Sequence, residues 1–364
     1  MRFECDSAAL SKACSAVQRT VSNKSVMPAL EGILIKAADG KVSLTGYDLE
    51  VGTETEIEAN VSEDGAALLN AKHLCDILRL IPGETVTIDS DDRSICKIRS
   101  EATNYKIIGI NPADFPELPS VADAASITIN QGLLKDMIKR TIFSVSVSER
   151  NPVHCGVKFE IADGKLVLIA VDGSRLSVRR EDIGYSGDPI SFVVPAKALN
   201  ELIRLSEDDD DDFILSVARR HICIKTGSYK TTSRLLEGHF IEYRSTIPAE
   251  YSTKTTVDVQ SVIESIERTS LIITDRSSPV KLKIEGGVLT FSCSTAIGTA
   301  TDVMSAEVEG AGLDIGFNNK FLLDALKATQ EEEVYMNFVS ESKPIVILPK
   351  EGDKFLYLVL PVRI

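Results

Sequence analysis

Two stretches of the chain say nearly the same thing at a domain-sized interval. Residues 38–53 read ADGKVSLTGYDLEVGT, and residues 162–178 read ADGKLVLIAVDGSRLSV. Ala38/Ala162, Asp39/Asp163, Gly40/Gly164, Lys41/Lys165, Leu44/Leu168 and Asp48/Asp172 each stand 124 positions apart. Pro28 and Gly32 before the first copy match Pro152 and Gly156 before the second at the same offset. A third, fainter copy is SSPVKLKIEGGVLTFSCS, whose Gly287 falls 123 residues after Gly164. In each copy apolar residues alternate across a Gly-containing turn, as in Val42 and Leu44, Leu166 and Leu168, or Leu289 and Phe291. That alternation predicts a β-hairpin with one buried face.

A second element repeats on its own: NAKHLCDILRL at 70–80, PAKALNELIRL at 195–205 and NNKFLLDALKA at 318–328. Leu74, Ile77 and Leu78, matched by Leu199, Leu202 and Ile203, form the apolar stripe of an amphipathic helix. Lys72 and Arg79, Lys197 and Arg204, and Lys320 and Lys327 are each seven apart, so each pair shares one helix face opposite that stripe. Another helix begins each third, over 7–19, 131–140 and 260–268, after the short strands MRFEC, SITIN and TTVDV. The closing strands NYKIIGI, SYKTTSRLL and KFLYLVLPVRI end each third. The expected fold is therefore α+β, with three tandem copies of a unit that sets two helices on antiparallel strands. Domain limits of 1–122, 123–250 and 251–364 follow, with junctions near PELPSVADAA and TIPAEYST.

No catalytic constellation accompanies the repeat. The sequence lacks a GxxxxGK[ST] loop and a GxGxxG helix opening. His73, His154, His221 and His239 form no metal-binding pair, and the DGSRLS around Ser174 lacks the nucleophile elbow. The run Glu207 to Asp212 reads as a solvated, self-repelling loop. Seven scattered cysteines without a CxxC pair suggest neither zinc nor a disulfide framework, and a reducing cytoplasm is the expected location. The start has no signal-peptide layout, and no apolar run reaches membrane-spanning length. No metal and no cofactor are expected.

The net charge of −14 argues against nucleic acid as a partner. The six matched basic residues argue the other way, because tandem copies present the same face to the same side. Lys12, Arg19, Lys135, Lys139, Arg140 and Arg268 of the first-helix set add to them. Such a surface suits phosphate contacts that carry no sequence information. A repeat-built protein scaffold and a hydrolase centred on Ser174 are the competing readings.

The residues SVMPALEGILI, LTGYDLE at 44–50, NPADFPEL at 111–118, VDGSRL at 171–176, IGFNNKFLLDAL at 315–326 and the terminal YLVLPVRI resemble the bacterial DNA polymerase III β subunit, over essentially the whole chain. The resemblance implies a sliding clamp, a processivity factor with no active site of its own. In it two chains close head to tail into a ring of six domains, with helices lining the hole around double-stranded DNA. It places Lys24 and Arg150 near DNA, alongside the six helix residues.

It also implies a groove between the second and third domains that holds short linear motifs. Their donors would be the DNA polymerase III catalytic subunit, the ATP-dependent clamp loader, and other polymerases and repair proteins. By matching motif the groove takes His154, Val171, Gly173, Ser174, Arg175, Leu176, Ile241, Ser245 and Thr246. From the third domain come Asn318, Phe321, Pro344, Leu358, Leu360, Pro361, Val362, Arg363 and Ile364. Ile241 stands where the family commonly has proline, and Ser174 where it commonly has histidine. Pro361 should break the final ladder and leave apolar side chains at a strand edge. The seam between chains would join Tyr105 and Ile107 to Leu271 and Ile272.

Overall fold

The computed structural model describes residues 1–22, 24–121, 125–148, 150–206, 210–274 and 278–363. The six helices found among these residues are α1 (Ser7–Val17), α2 (Ala71–Leu80), α3 (Gln131–Lys139), α4 (Ala196–Leu205), α5 (Val259–Ser270) and α6 (Asn319–Thr329). Each lies within about two residues of its expected position. The same order recurs three times: a strand, a helix, a run of hairpin strands, a second helix and three closing strands.

Local chemistry repeats with the order. The hairpin turns are two-residue loops, with Ala38 opposite Lys41, Ala162 opposite Lys165 and Glu285 opposite Val288. Both central residues have positive φ: 51° and 76° at Asp39-Gly40, 51° and 78° at Asp163-Gly164, 59° and 83° at Gly286-Gly287. Asp-Gly and Gly-Gly are the pairs that tolerate this geometry, whose twist matches the flanking strands. The first helices open on Asp6, Asn130 and Asp258, whose side chains accept from the N–H groups of Ala9, Leu133 and Ser261. Each satisfies a donor that the helix itself leaves unpaired.

The described chain gathers into two compact units, Met1–Leu133 with Lys197–Leu235, and Leu134–Ala196 with Leu236–Ile364. Each takes one terminal repeat and part of the middle one, because sheets run across the repeat junctions. In the first unit Val51–Glu58 pairs antiparallel with Tyr229–Arg234, joining repeats one and two in an eight-stranded sheet. In the second unit Arg175–Tyr185 pairs with Phe355–Val359, joining repeats two and three in a nine-stranded sheet. The two junctions use the same pairing register. Val51 faces Ser233 and Thr55 faces Tyr229 in one, as Arg175 faces Val359 and Arg179 faces Phe355 in the other.

Beneath α1 and α2, Leu10, Val17, Leu74 and Leu78 pack on Ile33, Ile35, Val86, Ile88 and Ile98. Beneath α5 and α6, Val262, Ile266, Leu322 and Leu326 pack on Leu282, Phe291, Phe317 and Val334. Each fully buried aliphatic of these stripes contributes about 1.5–3 kcal/mol, which holds the opposite, basic faces outward.

Gly46 shows how closely helix and sheet approach. A Cβ there would lie 2.2 Å from the Val17 carbonyl oxygen, and the Gly46 carbonyl accepts from the buried Thr20 hydroxyl at 3.1 Å. The matching position in repeat two holds the buried Ala170, so the strand itself tolerates alanine. Gly46→Ala should destabilise the first unit by about 3 kcal/mol through this backbone overlap. Denaturant unfolding checks it, and a loss below about 1 kcal/mol would show that the helix can retreat.

Candidate nucleic-acid, partner-binding and subunit sites

All six matched basic residues are exposed on their helices. Most are not isolated charges. Arg79 pairs with Asp76 at 3.3 Å and Arg204 with Glu201 at 2.7 Å, each three residues back. Lys327 pairs with Glu267 of α5 at 2.7 Å. Lys197 forms an ion pair with Asp48 of the first repeat. Among the described residues no ion pair involves Lys72 or Lys320. Lys24 and Arg150 are exposed on loops.

Of the added basic residues, Arg140 and Arg268 are held in ion pairs. Arg140 is turned inward: it pairs with Asp136 at 2.7 Å and donates to the carbonyls of Ala328 and Thr329 at 3.0 and 3.2 Å. Its place at the end of α3 made it look like part of a basic face, but its long side chain instead reaches the end of α6. Arg268 pairs with Asp302 at 2.6 Å and Glu264 at 3.4 Å.

The expected groove residues gather inside the second unit. Val171, Leu176 and Leu358 are buried in one apolar cluster with Val153, Phe240, Tyr243 and Val346, and the half-buried Ile241 packs on it. Arg175 forms one wall. Its Nε donates to Asp172 at 2.8 Å and its terminal nitrogen to Asp324 at 2.7 Å. The guanidinium lies over the Phe321 ring at 4.3 Å and the Phe143 ring at 5.5 Å. Asp172 also accepts the backbone N–H groups of Ser174 and Arg175 at 2.9 and 3.1 Å. Gly173, with φ 87°, turns the chain tip with open space where a side chain would point.

The tail crosses this wall. The Leu360 N–H donates to the Ser174 carbonyl at 2.8 Å, and the Val362 N–H to the Gly316 carbonyl at 2.9 Å. The ladder stops at Val359, and Pro361 stands at the break as expected. Leu360 and Val362 are both 39% exposed, and Arg363 is exposed beyond them. Pro344 is half-buried just before the strand Ile345–Pro349. Ile364 lies outside the described residues.

Other residues of the expected set carry local structural roles. Asn318 caps α6, accepting from the Phe321 N–H at 3.3 Å. The hydroxyls of Ser245 and Thr246 donate to the carbonyls of Glu242 and Tyr243, both at 2.7 Å. The His154 ring meets the Phe240 edge at 5.4 Å, and its buried Nε2 has no partner among the described residues. Burial pushes the His154 pKa below the usual imidazole value.

For a hydrolase, the Ser174 hydroxyl would need a histidine, and no hydrogen bond among the described residues links the two. Glu207, Asp208 and Asp209 of the acidic run lie outside the described residues. Among the described residues no group of three His, Cys, Asp or Glu could hold a metal, and no helix is long and apolar enough to cross a membrane. Burial pushes the Cys75 thiol up to about 11 and the Cys5 and Cys96 thiols up to about 12, so these stay protonated and pack as small apolar groups.

Among the described residues every sheet is open at both ends, and two of these end strands belong to the candidate subunit site. Thr103–Ile108 is the last strand of its five-stranded sheet, and Gly298–Ser305 the last of its four-stranded sheet. Tyr105 and Ile107 are half-buried against the first core, while Ile108 is 84% exposed. Leu271, at the end of α5, is 83% exposed and Ile272 half-buried.

Three family models cover these three repeats: the N-terminal, central and C-terminal domains of the DNA polymerase III beta subunit match residues 1–119, 128–242 and 244–363. The chain belongs to that family. A curated beta sliding clamp of Staphylococcus aureus is 32% identical over 357 residues, covering 95% of this chain and 94% of that one. A solved structure of a putative DNA polymerase III beta subunit from Eubacterium rectale aligns with TM-score 0.97 at 32% identity, covering all of both chains. The DNA polymerase sliding clamp of Bacillus subtilis aligns with TM-score 0.97 at 28% identity, over 100% of this chain and 99% of that one. The chain is thus a sliding clamp built from three tandem clamp domains.

Within that family fold, the residues that hold Arg175 do not stand out in the sequence as a group. Asp324 sits at the helix position of Asp76 and Glu201 in the other copies, and there those carboxylates serve the neighbouring arginine of their own helix. In the third copy the carboxylate serves Arg175 instead. The repeat of Asp48 at Asp172 was a visible signal for the turn, since Asp48 likewise accepts the N–H groups of Glu50 and Val51. Phe143 carried no signal in sequence.

Proposed function

We propose that two copies of this chain close into a ring around double-stranded DNA and tether polymerases to it, without chemistry of their own. The reading is carried by two of the open sheet edges, those whose counterparts are paired at the internal junctions. Thr103–Ile108 is the counterpart of Tyr229–Arg234 and Phe355–Val359, and Gly298–Ser305 the counterpart of Val51–Glu58 and Arg175–Tyr185. Those counterparts zip the two internal junctions, so a second copy can complete a third junction of the same kind, twice per ring. By register, Gly298 would face Ile107, Ala300 Tyr105 and Asp302 Thr103. Tyr105, Ile107, Leu271 and Ile272 form that seam, and the domain limits 1–122, 123–250 and 251–364 belong to the same proposal.

Electrostatics then explains loose retention. Two chains carry about −28, which repels DNA from the outside. Lys24, Lys72, Arg79, Arg150, Lys197, Arg204, Lys320 and Lys327 face the duplex, and the carboxylates beside Arg79, Lys197, Arg204 and Lys327 temper their pull. Few strong phosphate contacts leave the ring free to slide. The groove around Val171, Leu176, Leu358, Leu360 and Val362 receives linear motifs of the polymerase III catalytic subunit, the clamp loader and repair proteins in the cytoplasm.

Loading on nicked circular DNA tests the reading. The ring should stay on closed circles and run off once they are linearised, and retention on neither form would favour a scaffold that never encircles DNA. Alanine at all six helix positions should lower loading about ten-fold or more at physiological salt while leaving the dimer mass intact.

A further inference from the structure

Two of the three first helices place an arginine nine residues after their first residue: Arg140 for α3 and Arg268 for α5, where α1 has Ala16. The two share their surroundings. A carboxylate four residues back pairs with each, Asp136 with Arg140 and Glu264 with Arg268. A buried threonine follows each, its hydroxyl donating at 2.8 Å to the carbonyl four residues back, Thr141 to Met137 and Thr269 to Ser265.

The work of Arg140 is visible. It donates to the carbonyls of Ala328 and Thr329, the last of α6, and to the Gln330 side chain where the chain leaves the helix with φ 51°. The Tyr357 hydroxyl shares the Ala328 carbonyl at 3.2 Å. A cation thus satisfies acceptors that the helix end leaves open and opposes its negative pole, across the junction of repeats two and three.

Arg268 has the same build but no helix end to cap. Its Nε and one terminal nitrogen go to Asp302 at 2.9 and 2.6 Å, and the other terminal nitrogen to Glu264 at 3.4 Å. That leaves two N–H groups of the five unused. Asp302 belongs to the open edge strand Gly298–Ser305.

The complementary vacancy lies in repeat one. Counting from Lys72 and Lys320, Leu80 is the counterpart of Ala328 and Ile81 of Thr329. Leu80 is 77% exposed, and no hydrogen bond among the described residues reaches its carbonyl or that of Ile81. Tyr105 is the ladder counterpart of Tyr357, and its hydroxyl likewise has no hydrogen bond among the described residues.

We propose that Arg268 caps the C-terminal end of α2 in a second copy of the chain, donating to the carbonyls of the partner's Leu80 and the partner's Ile81. Glu264 and Asp302 hold the guanidinium ready, as Asp136 holds Arg140. The inference rests on the ring reading and adds a polar latch to each apolar seam.

Sedimentation over a concentration series, with hydrogen exchange of the last α2 turn, tests it on the full chain. Arg268→Ala should raise the dimer dissociation constant about a hundred-fold, ten-fold at each of two seams, and Arg268→Lys should fall between it and the parent. The amides of Leu80, Ile81, Gly83 and Glu84 should exchange faster in the Arg268→Ala dimer, which a role confined to α5 would not cause. Arg268→Lys keeps the test decisive if the alanine variant fails to fold. Dissociation constants within two-fold of the parent, with unchanged exchange, would overturn the latch and leave the ring standing. A parent chain that is monomeric at every concentration would overturn the ring reading itself.

Discussion

Replacing Leu271 and Ile272 together by alanine should turn the dimer into monomers and abolish retention on closed circular DNA, while each chain stays folded. Leu271 contributes nothing to the fold of its own chain that its exposure would register, and Ile272 is only half-buried beside it. Large apolar side chains left in water at the end of a helix are what an interface core is made of. In the proposed ring they meet the edge strand on which Ile108 is almost fully exposed, with Tyr105 and Ile107 beside it. Each Leu or Ile truncated to alanine removes about 2 kcal/mol of burial. A ring loses four such side chains, roughly 8 kcal/mol, or five to six decades in dissociation constant. Analytical ultracentrifugation at micromolar concentration should therefore show monomer mass with an unchanged unfolding midpoint. An intact dimer in that variant would mean that the seam lies elsewhere.

The parts of this fold that could be read from sequence are those that local chemistry dictates. Asp39-Gly40 and Asp163-Gly164 can hardly be anything but tight hairpin turns, and their common offset revealed the repeat. Lys72, Lys197 and Lys320 marked the second helices to within a residue because the apolar stripe opposite them fixes the helical face. What could not be read is where long side chains go. Arg140 and Lys139 look equally like surface cations, yet one remains exposed and the other reaches the end of α6, 188 residues later. Asp324 looks like its counterparts Asp76 and Glu201, and only the fold brings Arg175 within 2.7 Å of it. Periodicity specifies faces, whereas such pairings depend on which strands share a sheet. The groove residues, in turn, came from family resemblance, since nothing local distinguishes Leu358 from a core strand residue.

Alanine at both Leu360 and Val362 should weaken binding of a motif peptide about a hundred-fold and leave fold and dimer untouched. The reasoning starts from the comparison of the two internal junctions. At the first, the position of Leu360 is held by Arg234, whose N–H donates to the Glu50 carbonyl as that of Leu360 does to Ser174. The position of Phe321 is held there by Ala198, and the loop carboxylate Asp48 is engaged by Lys197 rather than by a stacked arginine. The first junction therefore has Arg234 and Ala198 where the second has the apolar Leu360 and Phe321, although the two ladders share one register. Pro361 takes the tail out of the ladder, so Leu360 and Val362 keep apolar surface in water instead of burying it in the sheet. Each half-exposed side chain that a peptide covers is worth about 1.4 kcal/mol, a factor of ten. Fluorescence anisotropy with a labelled decapeptide carrying two adjacent large apolar residues measures the loss. Arg234→Ala at the first junction is the matched control and should leave affinity within two-fold. Equal losses from both would show that the peptide does not discriminate between the junctions, and no loss from the tail variant would place its site away from the groove.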